Sequence, residues 1–505
     1  MKKILLFFTL FLFSGLTLIG VRPVSAAESP YLKMHGKIFE NISRPRFLDN
    51  LTAENPLYLF SNPFVDTSIL TSGKIQEIHS RLPQIKVILH LLCCTLFDNK
   101  EVDSIPPGKI HADLQNSQGQ FDNFWTNHRD AFMKNSGGGY VYYKIEKTGN
   151  YWFYEGDGHL MDPANSFYQN FLYGKIKHYI DAGYDGVYLD LMYPNFMQKF
   201  YYSKPFINGH AITRDEWNSK LISLSRSLQD RKNNDPDPTM KKALIITNSV
   251  GGGPGDGSDP VDRIQFNRDL QTQGVQIENP FADYRTMTTG DWLGTVNRIR
   301  DITALRNNQL RGWLNFHASE QFPNQEECDR HGLFTYASYL LGNQSPLFAF
   351  QFECAMGPGI HTEPTQNLTR IRLGNPVGPY RQTSFLYRRD YDNGLVLVNP
   401  TDTQRTYQPA VPLFNPYTSA VYPANSTIHV ATRSGLVLLK NPARNPADLT
   451  DEGDTPGNQV NIYDYNLLVA DFGKTGSPGF IAADIIKDGR VDIFDYNILV
   501  ENFER

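Results

Sequence analysis

Short apolar runs alternate with longer mixed segments from about residue 55 to residue 352. Seven runs have the length and composition of buried strands: LYLFS (57–61), KVILHL (86–91), DGVYLD (185–190), ALIITN (243–248), GVQIE (274–278), RGWLNF (311–316) and PLFAFQ (346–351). An eighth, less regular run is HLMD (159–162). The segments between the runs, such as 166–184 and 290–308, place apolar residues at helical spacing.

This alternation favours one fold class over its main alternative. About eight strands that alternate with helices are typical of a (β/α)₈ TIM barrel, which we predict for residues 45–360. An open, doubly wound sheet is the alternative that the pattern also allows. The segment YVYYKIEKTGNYWFY (140–154) is rich in alternating aromatic residues around a Thr-Gly-Asn turn, so we expect an inserted hairpin there.

The pattern changes beyond the predicted barrel. In SFLYRRDYDNGLVLVNP (384–400) an Asp-Asn-Gly turn separates two strand-like runs, and residues 427–440 repeat this style. We therefore predict a small antiparallel β-domain over residues 365–440.

The end of the chain contains a linker and a repeat. Residues 441–458 are polar and rich in proline, as linkers are. Within the last segment, 459–505, VNIYDYNLLVADF (460–472) matches VDIFDYNILVENF (491–503) at most positions. We expect two equivalent loop–helix units, which form a short helical module.

The first 26 residues differ in composition from the rest of the chain. Two lysines precede a long apolar run, and small residues follow at Val24 and Ala26, which is typical of a secretory signal peptide cleaved near Ala26 or Ala27. A retained membrane anchor is the alternative, because the run approaches the length of a spanning helix. Cleavage predicts a secreted or cell-surface protein that has no membrane segment afterwards.

The charge balance argues against some partners. The chain has 48 basic and 53 acidic residues, and removal of residues 1–26 takes away Lys2, Lys3 and Arg22 but no acid. An acidic surface disfavours nucleic acid and anionic lipid.

Four cysteines, Cys93, Cys94, Cys328 and Cys354, remain in the exported chain. An oxidising compartment permits disulfides, and the sequence leaves all three pairings open. A zinc site built from all four thiolates is disfavoured, because no CxxC spacing is present.

Two predicted strands end in a carboxylate. Asp190 closes DGVYLD and Glu278 closes GVQIE. In a barrel the loops after the strands build the active site, so both acids should project into its mouth. Glycoside hydrolysis needs two such groups, one to protonate the leaving oxygen and one to attack the anomeric carbon or activate water. The alternative for each acid is a helix cap or an ion pair with an arginine.

Motifs of other chemistries are missing. GGGPGDG (251–257) lacks the Gly-Lys-Ser/Thr that cradles phosphate, so we interpret it as a rim loop. HxH, HExxH and the GxSxG of a serine nucleophile elbow are absent from the sequence. We therefore expect no cofactor for catalysis.

Several segments together resemble a known family. LMDPANSFYQNFLYGKIKHYIDAGYDGVYLDLMYP (160–194), followed by IITN and GVQIENPF, is similar to glycoside-hydrolase-like family fifteen, and RLGNPVGPYRQTSFLYRRDYDNGLVLVNPTD (372–402) resembles that family's C-terminal β-region. A more distant resemblance is to the barrel of secreted α-galactosaminidase-type enzymes. The resemblance covers roughly residues 45–440 and implies a TIM barrel that acts on a polysaccharide. By analogy with retaining barrels, it implies Asp190 as nucleophile at the end of strand four and Glu278 as acid/base at the end of strand six.

Further residues near the predicted strand ends are candidates for contacts with the substrate. Asn248 could hydrogen-bond a sugar hydroxyl, and Tyr193 could stack on a sugar face. The remaining candidates are Trp313, Asn315, His317 and Asp162, with Asn165 close by. A structural role is the alternative for each. His90 lies inside an apolar strand, and we interpret it as a core histidine.

The second repeat unit resembles a calcium loop followed by a helix. In DIIKDGRVDIFD (484–495), aspartates occupy positions one, five, nine and twelve, and Gly489 takes the turn position. The predicted ligands are Asp484, Asp488, Asp492, Asp495 and the backbone carbonyl of Arg490. Ile486 offers no side-chain oxygen at position three, so calcium binding should be weak.

The two units together resemble a degenerate dockerin module. This resemblance implies a cohesin-like protein or a cell-surface scaffold as partner. A helical pair that packs without metal is the alternative.

The sequence thus predicts a secreted glycoside hydrolase with a β-domain and a dockerin-like tail. The rival hypothesis is a non-catalytic, glycan-binding surface or adhesion protein on the same barrel scaffold. Convergence of Asp190 and Glu278 on one open cleft would favour the hydrolase. The sugar, the linkage and endo or exo action are not specified by the sequence.

Overall fold

The computed structural model describes most of the chain between residues 58 and 501. The described ranges are 58–61, 72–81, 85–97, 117–142, 158–196, 201–250, 260–281, 285–357, 360–362, 373–440, 462–476 and 481–501, apart from single positions within them. The predicted signal segment, the linker, the loop at 251–257 and most of the predicted hairpin lie outside these residues.

The largest element is a sheet whose first seven strands are parallel. Its strands are β1 (Tyr58–Ser61), β2 (Lys86–Leu92), β5 (Gly186–Asp190), β8 (Leu244–Val250), β9 (Gly274–Glu278), β10 (Arg311–Gln321), β11 (Phe348–Gly357) and β12 (Ile360–Thr362). They are adjacent in that order, and only β12 runs antiparallel to its neighbour. The parallel strands coincide with the seven regular apolar runs of the sequence.

The sheet is curled rather than flat. Tyr188 on β5 and Trp313 on β10 have ring centroids 5.6 Å apart, although β8 and β9 separate their strands. In a flat sheet, three strand spacings would hold them about 14 Å apart. The two rings belong to a buried cluster inside the curl, with Ile88, Leu244, Ile246 and Ala349. The chain therefore has an α/β fold with a parallel half-barrel, and no ladder between described residues joins the two edges.

The prediction of a barrel strand at 159–162 is wrong. β2 pairs directly with β5, from Ile88 opposite Gly186 to Leu92 opposite Asp190, which leaves no place between them. β4 (Gly158–Leu160) instead pairs antiparallel with β3 (Thr95–Phe97). The short run finds its hydrogen-bond partners in this ribbon above the carboxyl end of β2.

Helices connect the strands. They are α1 (Ser72–Arg81), α2 (Ser117–Asn127), α3 (Ser166–Asp181), α4 (Arg214–Asn234), α5 (Pro238–Lys242), α6 (Pro260–Leu270), α7 (Thr289–Thr303), α8 (Leu305–Asn308) and α9 (Gln325–Gly342). Thr213 and Thr288 form capping boxes with Glu216 and Asp291, and Asn165 caps α3. These side chains satisfy the first backbone N–H groups and so fix where the helices begin.

An antiparallel sheet follows the half-barrel. Its strands are β13 (Arg381–Thr383), β14 (Leu386–Asp390), β15 (Gly394–Asn399), β17 (Leu413–Asn415), β18 (Ala420–Tyr422) and β20 (Ser434–Leu439). Two further antiparallel pairs of strands are short. They are β16 (Arg405–Tyr407) with β19 (Ile428–Val430), and β6 (Phe206–Ile207) with β7 (His210–Ala211).

Arg389 on β14 anchors this sheet to α9. Its buried guanidinium donates to the carbonyl oxygens of Leu340 at 2.9 Å and Leu341 at 3.2 Å, and also to that of Asn343. Tyr391 Oη donates to Leu340 O at 2.7 Å. The last carbonyls of a helix have no intrahelical partner and carry partial negative charge, so a cation stabilises them.

The cysteines are paired as two disulfides. Cys328 in the first turn of α9 is bonded to Cys354 on β11, with Cα atoms 5.9 Å apart. Cys93 and Cys94, directly after β2, form the other pair. All four cysteines are therefore used, which removes the zinc alternative.

The repeat forms two helices, α10 (Ile462–Asp471) and α11 (Ile493–Glu501). Leu468 and Leu499 occupy equivalent positions in the two units and are buried in one small cluster with Ala483 and Val491. The helical pair thus has a core of its own. Across the described part of the chain, no helix combines the length and the apolar character needed to span a bilayer.

The close approach of β9 and β10 yields a testable prediction at Gly312. Its φ is +133°, and a Cβ at this position would lie 1.8 Å from the carbonyl oxygen of Val275. Gly312→Ala should lower the free energy of unfolding by about 3 kcal/mol, because both the backbone conformation and the neighbouring carbonyl exclude a methyl group. Chemical denaturation measures this change.

The matched control is Gly294→Ala on α7. Nothing lies within 4 Å of its Cβ position, so the free energy of unfolding should stay the same or rise by up to about 1 kcal/mol through helix propensity. Equal stability of the two variants would contradict the described contact between β9 and β10.

Candidate active site

Three polar side chains from neighbouring strands meet at the carboxyl end of the half-barrel. Asp190 is the last residue of β5, Asn248 lies in β8 and Glu278 is the last residue of β9. Asp190 and Asn248 each come two residues after a member of the interior cluster, Tyr188 and Ile246. Because side chains two apart share a face of the sheet, the polar residues point into the mouth of the curl.

The side-chain nitrogen of Asn248 lies between the two carboxylates. This Nδ2 atom is 2.9 Å from Asp190 Oδ1, 3.0 Å from Glu278 Oε2 and 2.7 Å from Tyr193 Oη. Tyr193 Oη also donates to Glu278 Oε2, at 3.0 Å. Because both carboxylate oxygens contact one nitrogen at hydrogen-bond distance, they lie within about 6 Å of each other.

Donors reach both oxygens of Asp190. The Leu191 N–H donates to Oδ1 at 2.7 Å, Tyr188 Oη lies 3.5 Å from Oδ1, and His90 Nε2 lies 3.3 Å from Oδ2. Leu191 has a φ of +63°, a left-handed conformation that is unusual for leucine. In this conformation its N–H faces the preceding carboxylate, and backbone strain of this kind is concentrated at functional sites.

The tyrosines beside the acids remain protonated at neutral pH. Burial raises the pKa of Tyr193 well above its ordinary value, and the negative charges of Glu278 and Asp190 raise it further. The same causes, burial first, raise the pKa of Tyr188. Both hydroxyl groups can therefore donate hydrogen bonds to the carboxylates.

Polar side chains continue from Glu278 across β10 and β11. Asn315 is in register with Glu278 on one side and with Gln351 on the other. Gln276 Nε2 donates to Asn315 Oδ1 at 2.5 Å, and both glutamines are buried. These amides supply neutral donors and acceptors, which suit the hydroxyl groups of a sugar.

Two residues of this region are not among the sequence candidates. His90, interpreted above as a core histidine, is buried, but its ring nitrogen contacts Asp190. Glu353 lies two residues beyond Gln351 on β11, and therefore on the same face. The signal for it is the continued alternation Gln351-Phe352-Glu353, which runs past the predicted end of that strand.

Two of the predicted substrate-binding residues are buried, and the side chain of a third is not described. Trp313 is fully buried against Tyr188, so it forms the floor below the acids and is not exposed to a ligand. Tyr193 is 8% exposed and its hydroxyl group binds Asn248 and Glu278, so it contacts one of the two acids and offers no open face for stacking. The side chain of His317 lies outside the described residues.

Asp162 lies apart from this cluster. Its carboxylate accepts from Lys220 Nζ at 2.7 and 2.9 Å and from the Ala164 N–H at 2.9 Å. The carboxylate is thus bonded to a lysine and to its own turn, and it is not brought together with Asp190 and Glu278.

The predicted calcium ligands bind backbone amides. Asp484 accepts from the N–H groups of Asp488 and Gly489 at 3.0 and 2.9 Å, and Asp495 accepts from Ile485 at 2.7 Å. Asp488 and Asp492 accept from the N–H groups of Arg490 and Phe494. Among the described residues, no three His, Cys, Asp or Glu side chains converge on a point that a metal could occupy. In this arrangement the loop does not fit a closed calcium site.

Comparison with known proteins gives a family match. The model of a family described as hypothetical glycosyl hydrolase family 15 matches residues 80–395, more than half of the 505 residues. No curated protein sequence matches the chain.

Three solved structures are similar to the chain at low identity, each with a TM-score below 0.5. Amy13B of Eubacterium rectale is 13% identical, with 73% of this chain and 81% of that chain covered and a TM-score of 0.41. Trehalose-6-phosphate hydrolase of Bacillus licheniformis is 10% identical, with 73% and 85% covered and a TM-score of 0.39. The debranching enzyme of Nostoc punctiforme is 12% identical, with 78% and 87% covered and a TM-score of 0.40.

Proposed function

The chain belongs to hypothetical glycosyl hydrolase family 15, and from this premise we propose that it hydrolyses glycosidic bonds of a polysaccharide with Asp190 and Glu278 as the reacting acids. The observation that carries the proposal is the Asn248 nitrogen, which contacts a carboxylate of β5 at 2.9 Å and one of β9 at 3.0 Å. Two acids at one opening are the minimum that this chemistry needs.

The separation of the acids favours a retaining reaction. The two carboxyl groups are about 5–5.5 Å apart in retaining glycosidases and about 6.5–9.5 Å apart in inverting ones. Asp190 Oδ1 and Glu278 Oε2 lie within about 6 Å of each other, which is closer to the retaining arrangement.

The reaction would proceed in two steps. Asp190 attacks the anomeric carbon, the bond from that carbon to the leaving oxygen breaks, and Glu278 transfers its proton to the leaving oxygen. Glu278 then removes a proton from a water molecule that attacks the same carbon and releases Asp190. The sugar is thus held as a covalent ester between the two steps.

The surroundings of Asp190 support the role of nucleophile. Leu191 N–H and Asn248 Nδ2 donate to Oδ1, and His90 Nε2 lies close to Oδ2. These hydrogen bonds fix the direction of the carboxylate, and attack on the anomeric carbon requires such a fixed orientation.

Tyr193 is proposed to position Glu278. Its hydroxyl group accepts from Asn248 and donates to Glu278 Oε2, so that oxygen is held while the other can carry the proton. The rival hypothesis of a non-catalytic glycan-binding protein does not require two acids at this separation. Their convergence therefore favours the hydrolase.

We further propose that the chain is exported and that its tail is a tethering module. The proposal rests on the composition of residues 1–26 and on the two equivalent helices, α10 and α11. A cohesin-like protein or a cell-surface scaffold is the proposed partner. Ile486 offers no side-chain oxygen at the third position of the loop, so any calcium binding should be weak.

The carboxylate pair yields the first prediction of activity. Asp190→Asn and Glu278→Gln should each reduce cleavage by at least about 10²-fold, because each removes a group that acts in bond breaking. The measurement is the release of reducing ends from a panel of starch, xylan, mannan, β-glucan, galactan and chitosan. NMR of the products formed from the cleaved substrate should show that the configuration at the anomeric carbon is retained.

The control for these variants is Asp181→Asn. Asp181 is an exposed acid on α3 that pairs with Lys177, so activity should equal that of the wild type. Thermal unfolding checks that all three variants are folded. Full activity in either active-site variant would rule out the assignment.

Tyr193→Phe tests the positioning role. It removes the donor to Glu278, so kcat should fall by about 10- to 100-fold with KM nearly unchanged, a loss of about 1.4–2.7 kcal/mol of transition-state stabilisation. The O–H also donates a hydrogen bond to Glu278. Its removal should therefore shift the limb of the kcat–pH profile that depends on Glu278 to higher pH. Tyr173→Phe, which removes a hydroxyl bonded to Asp235, should change neither quantity. An unshifted profile with unchanged kcat would refute the role of Tyr193.

Calcium titration of the full chain tests the tail. Isothermal titration with CaCl₂ should give a dissociation constant no tighter than about 10⁻⁴ M, the range of weak calcium modules. Asp484→Asn should abolish whatever binding is seen, while Asp471→Asn, outside the loop, should not. A submicromolar constant would contradict the described arrangement of the loop.

A further inference from the structure

The β-domain has a cavity on the face of its sheet that turns away from the half-barrel. On β14, Arg389 faces α9, so its neighbours Arg388 and Asp390 face the opposite side. The cavity there has a volume of about 360 Å³. The apolar part of its lining includes Leu395, Leu413 and Tyr407. The charged part consists of Arg388, Asp390 and Lys440.

The charged part of the lining is fixed in place by hydrogen bonds. Asp390 accepts from Arg381 Nη2 at 2.9 Å and from Arg388 Nε at 2.9 Å. Lys440 Nζ donates to the carbonyl oxygen of Tyr391 at 2.6 Å. The lining has two cations, Arg388 and Lys440, against one anion, Asp390, and therefore has a net positive charge.

Arg388 retains a donor for a ligand. Its Cζ lies 5.3 Å from the centroid of the Tyr407 ring, and its Nε and Nη2 bind Asp390, so the guanidinium is held in one orientation. Its Nη1 group has no partner among the described residues. A fixed guanidinium edge matches the planar geometry of a carboxylate.

We infer that this cavity is a binding site for an acidic sugar unit, that is, a pyranose ring that carries a carboxylate. The C–H face of the ring would lie on the apolar side chains, its hydroxyl groups would donate to Asp390, and its carboxylate would bind Arg388 and Lys440. Ligand pockets range from about 300 to 1,000 Å³, so a cavity of this size suits a single sugar unit.

The inferred site is independent of the proposed hydrolase activity. It lies on a different sheet from Asp190 and Glu278, and it contains no pair of acids that could cleave a glycosidic bond. Its role would be to hold an acidic glycan, whether or not the half-barrel cuts it.

The test uses the full chain carrying Asp190→Asn and Glu278→Gln, so that turnover does not interfere. Binding of glucuronate, galacturonate, glucose and inorganic phosphate is measured by ligand-observed NMR, with dissociation constants for a single sugar on the order of 1 mM. Arg388→Gln should weaken uronate binding at least tenfold. Val411→Trp, a substitution at an exposed position on the lining, should block the cavity without removing a buried group.

The control is Arg405→Gln, which removes a cation stacked on Phe385 outside the cavity and should leave uronate binding unchanged. Tighter binding of a uronate than of glucose and phosphate, lost in both cavity variants, supports the inference. No uronate binding by the parent, equal binding of phosphate, or unchanged binding in Val411→Trp overturns it. Hydrolysis of polysaccharide by the wild type is measured separately, so the acidic-sugar site and the hydrolase activity can each be refuted without the other.

Discussion

The arrangement of the candidate active site depends on one amide group. Asn248 Nδ2 has two protons and three acceptors within 3.0 Å, namely Asp190 Oδ1, Tyr193 Oη and Glu278 Oε2. If Asp190 and Tyr193 each accept a hydrogen bond from one of these two protons, the hydroxyl group of Tyr193 donates its own hydrogen bond to Glu278. An amide in the reverse orientation would set its oxygen against two carboxylates, which charge repulsion disfavours. The orientation therefore follows from the acids, and it gives each acid a donor of its own.

This arrangement is possible only because the sheet is curled. Asp190 and Glu278 lie on strands separated by β8, and the curl turns their side chains towards a common axis. The packing of Tyr188 on Trp313 fills the interior directly below and prevents the strands from closing further. Buried aromatic volume thus sets the width of the opening, while the amide of Asn248 fixes the acids within it.

Much of this could be predicted from the sequence, and the failures have physical causes. The parallel strands could be predicted because each is a short apolar run, and the two acids because two of these runs end in a carboxylate. The run at 159–162 was misassigned because periodicity does not reveal which strand a segment pairs with. The contact of His90 with Asp190 could not be predicted either, since it depends on the register of β2 and β5, which are almost a hundred residues apart.

One connection between the β-domain and the half-barrel runs through β14. Arg389 binds the carbonyl oxygens at the end of α9, the helix between β10 and β11, and those strands carry Asn315 and Gln351. Arg388, on the other face of the same strand, lines the cavity. A ligand bound to Arg388 would therefore contact the same strand that holds the end of α9. Because helix ends are held by few hydrogen bonds, the anchor at Arg389 couples the end of α9 to β14.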